Sequence, residues 1–146
     1  MSLYRGLSVE ARTLYELVSD EKRVLQPFGE GSPYDLLIDL GDMFVRVQCK
    51  AGTLDNKIGV VKADLRRTNM NSQGPKRQLY TEDEVDLFAI MDPELGDIYW
   101  IPFSEAPKTY MSVRVRPTKN GQSKNVMYGK DCTLQSALDT IRREQL

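Results

Sequence analysis

The chain has 146 residues, 40% of them apolar and 28% charged, with a formal net charge of −1 and no histidine. That size and balance are those of one soluble globular domain, residues 1–146, and no apolar run is long enough to span a membrane. Without histidine there is no His general base, and two cysteines alone make no ordinary zinc site, so any metal expected here is a hard, oxygen-bound ion such as Mg2+ (or Mn2+).

Ser8 reads as the N-cap of a first helix running to Val18, with Ala11, Leu14, Tyr15 and Val18 as its apolar stripe. Arg23 to Gln26 is a short strand stopped by Pro27, and Gly29 to Pro33 is a flexible loop. Tyr34 to Leu40 and Met43 to Lys50 then alternate on either side of Gly41-Asp42, a pair suited to a tight turn with Gly first. With Leu40 opposite Met43, Asp35 falls opposite Gln48, and Lys50 joins them on one face. The other face reads Tyr34, Leu36, Ile38, Leu40, Met43, Val45, Val47 and Cys49, all suited to a core. A one-residue slip would bury Asp35 among those side chains, so burial supports this register.

Ile58 to Leu65 is expected to extend the sheet, and Arg66 to Gln78 reads as an exposed polar loop able to reach a phosphate backbone. Asp86 to Met91 and Asp97 to Ile101 form a hairpin around Pro93-Glu94-Leu95-Gly96. Its Tyr99 and Trp100 lie on opposite faces, so the hairpin and the helices are expected to supply apolar surface for self-association. Met111 to Arg116 alternates, with Arg114 and Arg116 on one face and Val113 and Val115 on the other. Thr133 to Gln145 closes the chain as a helix with the stripe Leu134, Ala137, Leu138 and Ile141. The first residues lack the apolar core of a signal peptide, so a cytoplasmic location with reduced Cys49 and Cys132 is expected.

The near-zero net charge hides a segregation. No acid occurs from Ala106 to Lys130, an earlier basic stretch runs from Lys57 to Arg77, and acids dominate from Glu82 to Glu105. A one-sided nucleic-acid footprint requires such separation. Arg66, Arg67, Lys76, Arg77, Arg114, Arg116, Lys119 and Lys124 are its candidate DNA-binding residues.

Pro33-Tyr34-Asp35, a hydrophobic strand and then Gln48-Cys49-Lys50 resemble the PD-(D/E)XK nuclease signature, with Gln where Asp or Glu is usual. The wider pattern is similar to the small endonucleases of this superfamily encoded within group I introns. It includes Glu10 on the first helix, Pro27-Phe28-Gly29, Val45 to Lys50, and the hairpin from Val85 to Pro102. The resemblance implies an α/β fold with a restriction-endonuclease-like core, a mixed β-sheet flanked by helices. It also implies a site-specific, divalent-metal-dependent endonuclease that makes a double-strand break in double-stranded DNA, using Mg2+ or Mn2+.

Asp35 would then be a direct metal ligand, joined by the Gln48 side-chain oxygen, the backbone carbonyl of Cys49, and Glu10 from the helix. Lys50 would orient the attacking water and offset the charge that develops on phosphate. A neutral amide at position 48 implies weaker metal affinity than a carboxylate would give. Two strands need two sites, so a homo-oligomer, dimer or tetramer, is expected. Leu37-Ile38-Asp39 superficially echoes the LAGLIDADG helix, but this segment lacks that motif's small residues and alternates as a strand. Two other readings of the same residues stay open: a junction-resolvase-like nuclease, and a catalytically silent fold that only binds nucleic acid or protein.

Overall fold

The computed structural model describes residues 3–71, 73–117 and 126–146. In chain order these residues form α1 (Leu3–Ser19), β1 (Arg23–Leu25), β2 (Leu36–Asp39), β3 (Phe44–Ala51), β4 (Thr53–Asp55) and β5 (Val60–Asp64). They continue as β6 (Arg67–Asn71), β7 (Gly74–Gln78), β8 (Leu87–Met91), β9 (Ile98–Pro102), β10 (Tyr110–Arg114) and α2 (Leu134–Glu144).

Ser8 does not cap α1. It is exposed inside a helix that starts at Leu3, because Leu3 to Leu7 contains several good helix formers and Arg5 ties the first turn down by donating to the Gly52 carbonyl at 2.9 Å. The buried side of α1 is Val9, Thr13 and Leu17, whereas Ala11, Tyr15 and Val18 of the expected stripe are exposed. Two apolar stripes run along this helix, and periodicity alone does not say which one packs. Thr13 can take the inward side because its hydroxyl donates to the Val9 carbonyl at 2.7 Å.

The main sheet has the order β1-β2-β3-β8-β9, with β3 and β8 parallel and the other pairs antiparallel. The expected register holds: Leu36 faces Val47 and Ile38 faces Val45, and the Leu40 N–H donates to the Met43 carbonyl at 2.9 Å across the turn. Gly41 sits there at φ 90, a conformation side chains strongly disfavour. One face of the sheet shares a core with the helices, through Leu36, Ile38, Val45, Val47 and Cys49 against Val9, Leu17, Leu138 and Ile141. α2 follows its expected stripe and is capped by Thr133, whose hydroxyl accepts from the Ser136 N–H at 3.1 Å.

β5 does not extend this sheet. It pairs with β10 and with β4 in a separate three-stranded sheet, and Val61, Ala63, Met111 and Val113 share a second core with Phe88, Ile90, Tyr99 and Ile101 on the other face of the main sheet. The β8–β9 hairpin is therefore covered on both sides. Tyr99 (8% exposed) and Trp100 (4%) are each buried in a different core, so the hairpin is not the exposed apolar surface expected from its alternation.

Gly52 lies where β3 passes into β4. Its N–H donates to the Met91 carbonyl at 2.8 Å, and a Cβ there would lie 2.5 Å from a Val61 methyl and 3.0 Å from that carbonyl. Gly52→Ala is expected to destabilise the fold by about 1–3 kcal/mol through overpacking, read as a lower midpoint in urea with an unchanged slope.

Residues 66–78 are not a loop. β6 and β7 pair over Arg67 with Gln78 through Asn71 with Gly74 as a two-stranded ribbon. The ribbon lacks the apolar alternation that announces a strand because its described side chains are largely exposed. Cross-strand hydrogen bonds and ion pairs at its base hold it instead, Arg67 to Glu84 at 3.2 Å and Arg77 to Asp64.

Candidate active site

Asp35 lies just before β2, at the end of the ladder that closes with the Leu36–Val47 pair, and its N–H donates to the Val47 carbonyl at 2.8 Å. Its carboxylate turns along β3 and accepts the Cys49 N–H at 2.9 Å. The Gln48 amide nitrogen donates to the Cys49 carbonyl at 3.2 Å, so the two oxygens of interest, those of Gln48 and Cys49, already share one neighbourhood. Parallel pairing sets Gln48 beside Phe88 and Lys50 beside Ile90.

Glu10 reaches the site because the Val9–Thr13–Leu17 side of α1 is the side that packs. Burial pushes its carboxyl above the ordinary 4.5, and the Asp35 charge pushes it further. Burial likewise raises Asp35 above 3.8, against the stabilising pull of the Cys49 N–H and of Lys50. Cys49 is deeply buried, and desolvation with the nearby Asp35 and Glu10 charges holds its thiol protonated. A half-buried Asp35 whose charge is felt by Glu10 forms with it a site that gains from a cation nearby.

Lys50 is half-buried. Its ammonium donates to the Arg66 carbonyl at 2.8 Å and lies 5.0 Å from the centre of the Tyr80 ring. Burial lowers its pKa from 10.5, and Asp35 and Asp64 oppose that shift while Arg67 and Arg77 add to it. Arg46, on the same strand face, is fully engaged elsewhere. It grips Asp86 with two bonds of 2.9 Å and also donates to the carbonyls of Glu82 and Asp83.

Sequence reasoning missed the Arg46–Asp86 clamp and Tyr80. Neither carries a local motif, since the partners lie 40 and 30 residues apart along the chain. An acid at position 86 beside the apolar run of β8 was the only available sign of the clamp.

The candidate DNA-binding residues fall into four groups. Arg66 makes a two-point pair with Asp64 at 3.0 Å and reaches the Tyr110 hydroxyl, while Arg67 and Arg77 pair with Glu84 and Asp64. Lys76 is exposed on the ribbon. Arg114 and Arg116 fold over the β4–β5 turn, donating to the carbonyls of Ile58 and Asn56 at 2.8 Å each. Lys119 and Lys124 lie outside the described residues.

Among the described residues no three His, Cys, Asp or Glu side chains form a metal-type cluster. The available donors are two carboxylates, one amide and one backbone carbonyl. All are hard oxygen donors, and with the paired desolvated acids they fit a magnesium-type ion.

The model of the PD-(D/E)XK endonuclease family matches residues 3–135. The fold is similar to that of a bacterial homing endonuclease, I-Ssp6803I, with 20% sequence identity, a TM-score of 0.74, and coverage of 97% of this chain and 94% of that one. No curated protein matches in sequence.

Proposed function

Since this chain belongs to the PD-(D/E)XK endonuclease family, a family of nucleases, we propose that it is a site-specific, divalent-metal-dependent DNA endonuclease of the intron-homing type that makes double-strand breaks. The observation that carries this reading is the convergence of Glu10, Asp35, Gln48 and Lys50 from α1 and the β2–β3 hairpin.

Asp35, Glu10, the Gln48 side-chain oxygen and the Cys49 carbonyl would hold Mg2+ or Mn2+. When bound, such an ion neutralises and polarises the phosphodiester. Asp35 is fixed by the Cys49 N–H, so its carboxylate is preorganised. Gln48 must turn its amide so that the oxygen, not the nitrogen, faces the Cys49 carbonyl side. Lys50, a cation held in a partly dehydrated place, stabilises charge on the departing and attacking oxygens and orients water.

If Gln48 is a ligand through oxygen, Gln48→Glu retains more cleavage than Gln48→Ala, and it half-saturates at a lower magnesium concentration because it adds a charge. The opposite ranking in a magnesium titration removes Gln48 from the ligand set.

The ribbon springs from Arg66, the residue whose carbonyl holds Lys50, so DNA lying across Lys50 passes the ribbon. A two-stranded ribbon fits a major groove, and Lys76 with Arg67 and Arg77 supplies its cations. Arg114 and Arg116 extend the proposed contact.

A double-strand break also needs a second site. On the side of α1 opposite the core, Tyr4 (79% exposed), Leu7, Ala11, Tyr15 (63%) and Val18 form a continuous exposed stripe, and this is the surface proposed for a second copy. Charging it with Leu7→Glu and Tyr15→Glu together is expected to turn an oligomer into a monomer by sedimentation at micromolar concentration, and to turn linear plasmid product into nicked product. A wild-type protein that sediments only as a monomer, alone and on DNA, contradicts the oligomer.

A further inference from the structure

We infer that Tyr80 is a positioning residue for Lys50, acting through the face of its ring rather than its hydroxyl. The inference deepens the nuclease reading and rests on it for the role of Lys50.

An ammonium on a four-carbon stem is loosely placed unless its surroundings fix it. Lys50 has two such restraints. Its Nζ donates to the Arg66 carbonyl at 2.8 Å, and the Tyr80 ring centre lies 5.0 Å away, within the range over which an aromatic face attracts a cation. The attraction is stronger in a partly dehydrated site than in water. The ring in turn is not free to swing. Tyr80 meets Phe88 edge to face with centroids 5.8 Å apart, and Phe88, itself buried, stacks on Phe103 at 6.1 Å. Phe88 is the residue paired with Gln48 across β3 and β8. An aromatic row thus runs from the sheet interior to the lysine.

The backbone on the other side is braced as well. Immediately after Tyr80, the Thr81 N–H donates to Glu84 at 2.9 Å, and the Glu84 and Val85 N–H groups donate back to the Thr81 carbonyl. Glu84 pairs with Arg67 at the base of the ribbon. Tyr80 therefore sits in a closed turn tied to the same ribbon whose root, Arg66, supplies the carbonyl that holds Lys50. The two restraints on the ammonium come from opposite ends of one tethered segment, residues 66–84.

A ring-face role makes two separable claims. Phenylalanine should replace tyrosine, whereas methionine, which keeps apolar bulk against Phe88 but has no ring, should not. The test compares wild type, Tyr80→Phe and Tyr80→Met, with Lys50→Met used to assign the Lys50 signal in protein labelled with 13C-lysine. The Lys50 ε-methylene protons are expected upfield of the other lysines in wild type and Tyr80→Phe, through the ring current, and at an ordinary position in Tyr80→Met. Single-turnover cleavage with magnesium is expected within about 2-fold of wild type for Tyr80→Phe and roughly 10-fold slower for Tyr80→Met, with DNA affinity unchanged in both.

An unshifted Lys50 signal in wild type overturns the inference, as does a Tyr80→Phe loss equal to that of Tyr80→Met, or a Tyr80→Met rate equal to wild type. If the Lys50 signal behaves as expected but wild-type protein does not cut DNA, the nuclease reading fails and the contact stands.

Discussion

Asp35→Asn is expected to lower cleavage by at least ~10²-fold while making the metal-free protein more stable, a combination that a mere packing residue does not produce. The sign follows from the environment. Burial raises the Asp35 carboxyl above its ordinary 3.8, so the folded state binds a proton more tightly than the unfolded chain does. Its favourable contribution is present below 3.8 and is lost as pH rises through the folded value, so at neutral pH the ionised carboxylate is a cost to folding.

An asparagine keeps the oxygen that accepts the Cys49 N–H and removes that charge. The melting temperature at neutral pH should rise, and the advantage should shrink as pH falls toward 3.8. Magnesium should stabilise wild type and leave Asp35→Asn unmoved, since binding to the native state alone adds stability. A variant less stable than wild type without metal, or one that still gains stability from magnesium, removes Asp35 from the centre of the site.

Lys50→Ala is the second large expected loss, again at least ~10²-fold in single-turnover rate with little change in DNA affinity. The contrast with the exposed Lys76 of the ribbon matters. Lys50 is half-buried and committed to one carbonyl and one ring, so it contributes little to DNA capture. Lys76→Gln, on the exposed side of the ribbon, should do the reverse, weakening binding and reducing its salt dependence with the rate on saturating DNA preserved. A Lys50→Ala protein that binds poorly and cuts at the normal rate once bound would assign Lys50 to binding.

The part of this site that was legible in the sequence is the part set by local rules. Gly41-Asp42 fixes the hairpin and alternation fixes which face is buried, and the two together give the register that pairs Leu36 with Val47 and Ile38 with Val45. The β8–β9 hairpin and α2 were legible for the same reason. What escaped depended on long-range choice. α1 carries two apolar stripes, and only the sheet decides that Val9, Thr13 and Leu17 turn inward.

The described side chains of the β6–β7 ribbon are largely polar and exposed, so its hydrogen-bonded pairing leaves no hydrophobic period to read. Gly52 ends β3 before β5, and the run from Ile58 to Leu65 therefore builds a second sheet although its composition suits the first. Charge segregation along the chain also overstated the free basic surface. Arg67 closes on Glu84 across the boundary between the basic and acidic stretches, and Arg66 and Arg77 pair with Asp64 inside the basic one.

The central claim is that the Glu10, Asp35, Gln48 and Lys50 constellation performs metal-dependent cleavage of both strands of DNA. The most direct test is a digestion of supercoiled plasmid carrying candidate target DNA, with wild type and Asp35→Asn in parallel, with magnesium and with chelator. Full-length linear product from wild type with magnesium, and none from wild type with chelator or from Asp35→Asn, is the expected result. Specific binding of that DNA with no cleavage in magnesium or manganese, or equal cleavage by wild type and Asp35→Asn, contradicts it.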